Sequence, residues 1–78
     1  MVDDRRPAGS RPRDDWWPDP EDLQIIALLA SGCTLHQAAR RLELSERTIR
    51  RRLRTAAVAL GVDSTIEVIV HAVRIGAI

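Results

Sequence analysis

The sequence contains no phenylalanine and no tyrosine, and its two tryptophans, Trp16 and Trp17, are adjacent. Proteins that bind RNA or single-stranded DNA usually stack bases on aromatic side chains, so binding of that kind is not expected. The single cysteine, Cys33, excludes an intrachain disulfide and is expected to be a small buried residue. No apolar run approaches the roughly 20 residues that span a bilayer, and the charged N-terminus has no secretory signal. We therefore expect a cytoplasmic protein with no membrane partner.

Lysine is also missing, so all 12 positive side chains are arginines, set against 11 acids for a net charge of +1. The distribution of charge is more informative than the total. The first 22 residues contain four arginines and seven acids, whereas the remainder contains eight arginines and four acids. Positive charge is concentrated in residues 45–61, which suggests a localised contact with an anionic partner.

Residues 45–61 predict an amphipathic helix whose two faces are both distinctive. Helical spacing places five apolar residues on one face: Ile49, Leu53, Ala56, Ala57 and Leu60. It places four arginines on another: Arg47, Arg50, Arg51 and Arg54. An arginine-rich face is often simply exposed to solvent. Here, however, the four like charges repel one another, and binding of an anionic partner would relieve that repulsion. Guanidinium groups match phosphate oxygens and the O6/N7 edge of guanine, so we interpret this helix as a DNA-reading helix.

Four helices are predicted from capping residues and apolar periodicity. Each helix is preceded by a residue that commonly caps a helix N-terminus. These residues are Asp19, Thr34, Ser45 and Ser64. Gln37 and Glu67 lie three residues after Thr34 and Ser64, which predicts capping boxes. No segment alternates with the period of two that is typical of strands, so the predicted fold class is all-α, in one small domain.

The chain is expected to divide into a flexible, charged N-terminal tail over residues 1–17 and a folded domain over residues 18–78. The tail is rich in proline, glycine, aspartate and arginine and has little to bury. Trp16 and Trp17 are its exceptions. Either they cover the edge of the domain beside the first helix, or they form an anchor for a partner protein.

Residues 34–60 have the helix, short link, helix arrangement of a helix-turn-helix, with small Ala38 and Ala39 where two helices must approach closely. Residues 18–78 resemble the LuxR-type helix-turn-helix domain, which also occurs alone in the spore regulator GerE. The matching positions run the length of the domain. They are Pro20 and Asp22, Gly32, the run Ser45, Thr48, Ile49 and Arg50, then Leu60-Gly61-Val62, and Gly76.

The resemblance implies a bacterial, nucleoid-associated transcription regulator that binds double-stranded DNA sequence-specifically, with recognition helix 45–60 in the major groove. It assigns groove contacts to Arg50, Arg51 and Arg54, and Arg47 lies one turn earlier on the same face. Thr34 and Thr48 match positions that commonly touch phosphates near helix N-termini. Both can equally be caps or core-edge residues.

Three residues depart from the family pattern: Gln37 replaces a usual glutamate, Ala38 a large aliphatic residue and Arg52 a frequent histidine. These departures leave the four-helix LuxR-type fold as the expectation but affect local packing and the DNA sequence that is read. Arg52 is off the basic face, about 100° further round the helix than Arg51, so we expect it to contact a phosphate or an acidic neighbour and not a base.

The predicted fourth helix, residues 64–75, is apolar nearly all round, which is more than one small domain can bury. We expect Ile66, Val70 and Val73 to form a homodimer interface on DNA, and the resemblance implies the same. The alternative is that these residues simply pack on the first three helices. A two-fold dimer would place two recognition helices roughly 34 Å apart.

No catalytic constellation, phosphate-binding glycine loop or metal-ligand spacing occurs, and His36 and His71 lack companion ligands. We therefore expect a non-enzyme without cofactors. One rival interpretation is that the chain is region 4 of a sigma factor. The apolar fourth helix argues against this interpretation. Another is a protein-interaction module whose Trp16-Trp17 tail binds RNA polymerase, a sigma factor or another regulator.

Overall fold

The computed structural model describes residue 13 and residues 15–78, which form four α-helices and no strand. The helices are α1 (Pro20–Ala30), α2 (Leu35–Leu42), α3 (Glu46–Leu60) and α4 (Thr65–Arg74). The predicted all-α class is therefore confirmed for this part of the chain. The flexibility predicted for residues 1–12 and 14 lies outside the described residues. None of the four helices alone is long and apolar enough to cross a membrane; only α3 and α4 counted together, across a 63° bend, meet that criterion.

Each helix begins at the cap that the sequence predicts. The side-chain oxygens of Asp19, Thr34, Ser45 and Ser64 each accept the backbone N–H three residues further on, at 2.9 to 3.3 Å. In α2 the predicted capping box is complete, because Gln37 Oε1 accepts the Thr34 N–H at 2.9 Å. In α4 the box differs from the prediction, since Glu67 Oε2 accepts the Ser64 hydroxyl at 3.2 Å and the N–H of Asp63 at 3.3 Å.

The core lies between α1 and α3, each of which contacts the three other helices. All five apolar residues predicted to share one face of α3 are buried, and the largest fully buried side chains are Ile25, Ile26, Ile49, Leu60 and Val68. Ala38 and Ala39 of α2 are buried as predicted, but Leu35 and Leu42 at its ends are only partly covered. Cys33 is likewise half-buried, in contrast to the predicted buried position, because it lies in the link between α1 and α2.

A tight turn joins α2 to α3 and fixes the orientation of the longer helix. Glu43 adopts a left-handed conformation with φ of 57°, which is uncommon for a residue with a side chain. The following N–H, from Leu44, donates to the carbonyl of Ala39 at 2.9 Å. Ser45 then caps α3, so Glu43 and Leu44 alone separate the last residue of α2 from the cap of α3. This is the short link that a helix-turn-helix requires.

The segment before α1 contacts the end of α3 and the middle of α4. The Arg13 N–H donates to the Leu60 carbonyl at 2.9 Å, and Trp16 packs on the core with its ring 5.9 Å from that of His71 in α4. These contacts lie on the N-terminal side of the predicted boundary at residue 18. Trp17 is 59% exposed, so the two indoles that the sequence treats alike occupy different environments.

Trp16→Ala should therefore lower the stability of the domain, whereas Trp17→Ala should leave it nearly unchanged. Removing a half-buried indole costs about 1–2 kcal/mol, which corresponds to a melting temperature roughly 4–16 °C lower for a domain of this size. Thermal unfolding followed by circular dichroism measures both variants, and Trp17→Ala is the matched control. A larger loss for Trp17→Ala than for Trp16→Ala would contradict the arrangement of the two rings.

Candidate nucleic-acid interface

The exposed face of α3 carries the four predicted arginines. Arg47, Arg50, Arg51 and Arg54 are all exposed, while the apolar face of the same helix is buried in the core. With Glu46 they line a shallow surface hollow of about 550 Å³. The 3.6-residue period of the helix, together with the burial of its other face, fixes these side chains on one side of the molecule.

Three of the four guanidinium groups are available to an external anion. Arg50 Nη2 lies 3.8 Å from Glu46 Oε1 in an exposed i, i+4 pair, which is a weak interaction. Within residue 13 and residues 15–78, no carboxylate oxygen comes within ion-pair distance of Arg47, Arg51 or Arg54. The arrangement therefore concentrates uncompensated positive charge along about two turns of helix.

Glu46 and His36 join this surface through a contact that the sequence analysis missed. Glu46 Oε2 lies 3.1 Å from His36 Nδ1, which brings the first turns of α2 and α3 together. The i, i+4 spacing of Glu46 and Arg50 could have indicated the role of the glutamate. No local signal connects residues ten positions apart on different helices, so His36 could only be found from the packing.

Arg52 points away from the other arginines and into an acidic cluster at the N-terminus of α1. Its Nε donates to Asp22 Oδ1 at 2.8 Å, its Nη1 lies 2.9 Å from Glu21 Oε1 and its Nη2 lies 3.4 Å from Asp19 Oδ1. The sequence predicted that Arg52 contacts a phosphate or an acidic neighbour, and the structure contains the acidic neighbours. Arg52 ties α3 to α1 and is not part of the exposed basic surface.

Burial and the neighbouring opposite charges shift the pKa of Asp22, and likewise that of Arg52, in opposite directions. Burial raises the pKa of Asp22, and the hydrogen bond and charge of Arg52 lower it without cancelling that effect, so the pKa of Asp22 remains above its usual 3.8. For Arg52, burial lowers the pKa, but the surrounding carboxylates outweigh burial and leave its pKa raised. Arg52 therefore remains charged, while folding slightly disfavours the ionised form of Asp22.

Because the folded-state pKa of Asp22 is raised, this residue contributes stability below pH 3.8 that is lost as the pH rises through its folded pKa. The free energy of unfolding of the wild type, minus that of Asp22→Asn, should thus fall as the pH rises from the acid range. Urea unfolding over a pH series measures the difference. Glu21→Gln, which changes a more exposed acid of the same cluster, is the control. A difference that increases with pH would contradict the assigned direction.

Thr34 and Thr48 both act as parts of helix caps. Thr34 is exposed and its hydroxyl oxygen accepts the Gln37 N–H at 3.0 Å, while Thr48 is half-buried and accepts the Ser45 hydroxyl at 2.9 Å. A hydroxyl that accepts one hydrogen bond can still donate another, so capping does not prevent either residue from donating to a phosphate oxygen. The structural role of both residues is thus established, and the predicted phosphate contact stays a prediction.

The predicted dimer residues form an exposed apolar stripe on α4. Ile66, Val70 and Val73 are 69%, 43% and 54% exposed and lie at i, i+4 and i+7 on one face, while Val68 and Ala72 on the other face are buried. The alternative, that the apolar residues of this helix simply pack on the first three helices, holds for Val68 and Ala72 but not for the three exposed residues. Contact with a second copy stays a prediction.

Comparison with protein families, curated proteins and solved structures found no match to this chain. The LuxR-type resemblance thus depends on the quoted residues and the helix arrangement.

Proposed function

We propose that this chain is a sequence-specific, double-stranded DNA-binding transcription regulator of the LuxR type. Helix α3 enters the major groove, and α4 pairs two copies of the domain. The observation that carries the proposal is the exposed row Arg47, Arg50, Arg51 and Arg54, three members of which have no carboxylate partner in the described part of the chain. A helix bearing guanidinium groups on its free face fits the width of the major groove.

The role of each residue follows from its position. Arg50, Arg51 and Arg54 face the base edges and flanking phosphates, and Arg47 reaches a phosphate or a base at the start of the helix. Thr34 and Thr48 donate to phosphates at the N-termini of α2 and α3, where the helix dipole and free N–H groups also favour anions. The mutual repulsion of the arginines is relieved when phosphates neutralise them and counterions leave the DNA.

Titration of a mixed-sequence duplex at low and high salt tests this proposal. The logarithm of the binding constant should fall linearly with the logarithm of salt concentration, by about 0.9 for each phosphate neutralised. The triple variant Arg50→Ala, Arg51→Ala, Arg54→Ala should lose affinity and have a flatter slope. Arg74→Ala, which removes an exposed arginine at the end of α4, is the control. Unchanged affinity of a correctly folded triple variant would overturn the proposal.

The exposure of Trp17 supports a second candidate function. Its indole is 59% exposed beside the anchored Trp16, as expected for a residue that contacts another protein. In this candidate the domain is an interaction module for RNA polymerase, a sigma factor or another regulator. The same titration separates the two functions, because such a module should have no salt-dependent affinity for DNA.

A further inference from the structure

The side chains that α3 exposes restrict which bases it can read. Its exposed polar residues are Arg47, Arg50, Arg51, Arg54 and Thr55. The helix contains no asparagine or glutamine, the residue types that form bidentate hydrogen bonds with adenine. Arginine forms its commonest base-specific contact with O6 and N7 of guanine. The hydrogen-bond donors on this face of α3 therefore match guanine better than the other bases.

Glu46, the single acid of α3, is already engaged. Its Oε2 is 3.1 Å from His36 and its Oε1 is 3.8 Å from Arg50. A free glutamate could accept a hydrogen bond from N4 of cytosine, but the two oxygens of this one already face the side chains of His36 and Arg50. Direct reading of cytosine by α3 is thus disfavoured while these contacts hold.

The spacing of the arginines sets the length of the sequence that is read. Arg47, Arg51 and Arg54 lie at i, i+4 and i+7, and the outer two are about 10 Å apart along the helix axis. That distance corresponds to about three base-pair steps of ~3.4 Å. The next residue on the same line along the helix, four positions after Arg54, is Val58. Its side chain is 74% exposed and cannot form a hydrogen bond. Arg52 is held by the acidic cluster and does not extend the row.

We infer that each DNA half-site contains at least two guanines within about three base-pair steps. Their major-groove edges are read by members of the i, i+4, i+7 series Arg47, Arg51 and Arg54, and not by Arg50, which is paired with Glu46. This inference rests on the proposed function and specifies the class of sequence that the regulator recognises.

Selection of tight-binding duplexes from a random pool, at a salt concentration that weakens phosphate-only binding, tests the inference. The selected sites should be enriched in guanine within a short window. Replacing one of these guanines by 7-deazaguanine removes the N7 acceptor without changing base pairing, and should weaken binding about 5- to 150-fold. Replacing it by inosine keeps O6 and N7, and should leave affinity nearly unchanged.

Single variants then assign guanines to side chains. Arg51→Ala and Arg54→Ala should each become insensitive to 7-deazaguanine at one position, whereas the control Arg74→Ala should keep the wild-type sensitivity at all of them. Salt-dependent binding without guanine enrichment, or enriched guanines that tolerate 7-deazaguanine, would overturn this inference and leave the proposed function intact. A lack of any salt-dependent DNA affinity would overturn both.

Discussion

A duplex with two inverted half-sites centred about 34 Å apart should bind the protein about 10²–10⁴ times more tightly than a duplex with one half-site. The expected reason is pairing of two copies through the stripe Ile66, Val70 and Val73, which the folded monomer leaves exposed. Once one copy is bound, its partner is held close to the second half-site. The second contact then occurs at a high effective concentration, without any new kind of interaction.

Replacing Ile66 or Val70 by glutamate should remove this advantage, because a charge would then be buried in the centre of the interface. The variant whose circular dichroism stays native is the one to use. It should lose the tight binding to the palindrome and keep the weak binding to a single half-site. The ratio of the two affinities is the quantity to measure, since the added negative charge weakens both complexes similarly.

Trp17→Glu is the matched control, because it places the same charge on an exposed apolar residue outside the stripe Ile66, Val70 and Val73. Its ratio of affinities should equal that of the wild type. Equal binding of the wild type to the palindrome and to the half-site would show that the protein acts on DNA as a monomer.

Arg51→Ala and Arg54→Ala should each weaken binding to the best duplex by about 1–3 kcal/mol if the lost side chain makes a bidentate base contact. Binding to mixed-sequence DNA should then change much less. If the side chain contacts a phosphate, all sequences should be weakened alike and the salt slope should decrease by about one unit.

Measuring each variant on both duplexes at several salt concentrations distinguishes these two kinds of contact. Both arginines are exposed, so the variants should keep the wild-type melting temperature. If neither variant changes the affinity for either duplex, the assignment of this face of α3 to DNA is wrong.

The sequence was sufficient to predict the positions of the helices, because local chemistry determines where they begin and end. Asp19 and Ser45 accept hydrogen bonds from the N–H groups three residues later, and Gly61 ends α3 in a left-handed conformation with φ of 90°. The buried face of α3 followed from the same kind of information, since a helical period identifies residues that share a face.

Contacts between distant residues could not be predicted in the same way. The geometry of the helix predicted a phosphate or an acidic neighbour for Arg52, but only the packing of α3 on α1 revealed the three carboxylates around it. Trp16 and Trp17 have identical side chains and adjacent positions, and the backbone direction of the segment before α1 decides which ring packs on the core. Such choices depend on the whole fold and leave no periodic signal in the chain.

The acidic cluster beside α3 affects how the molecule approaches a polyanion. Asp19, Glu21 and Asp22 surround the single guanidinium of Arg52, so this flank of α3 has a net negative charge while its exposed face is positive. In the field of a duplex, this separation of charge exerts a torque that turns the positive face inward and repels encounters through the acidic flank. Under the proposed function, a protein with a net charge of only +1 would therefore associate rapidly with DNA in one orientation. Added salt should slow association, because screening weakens the torque before the partners touch.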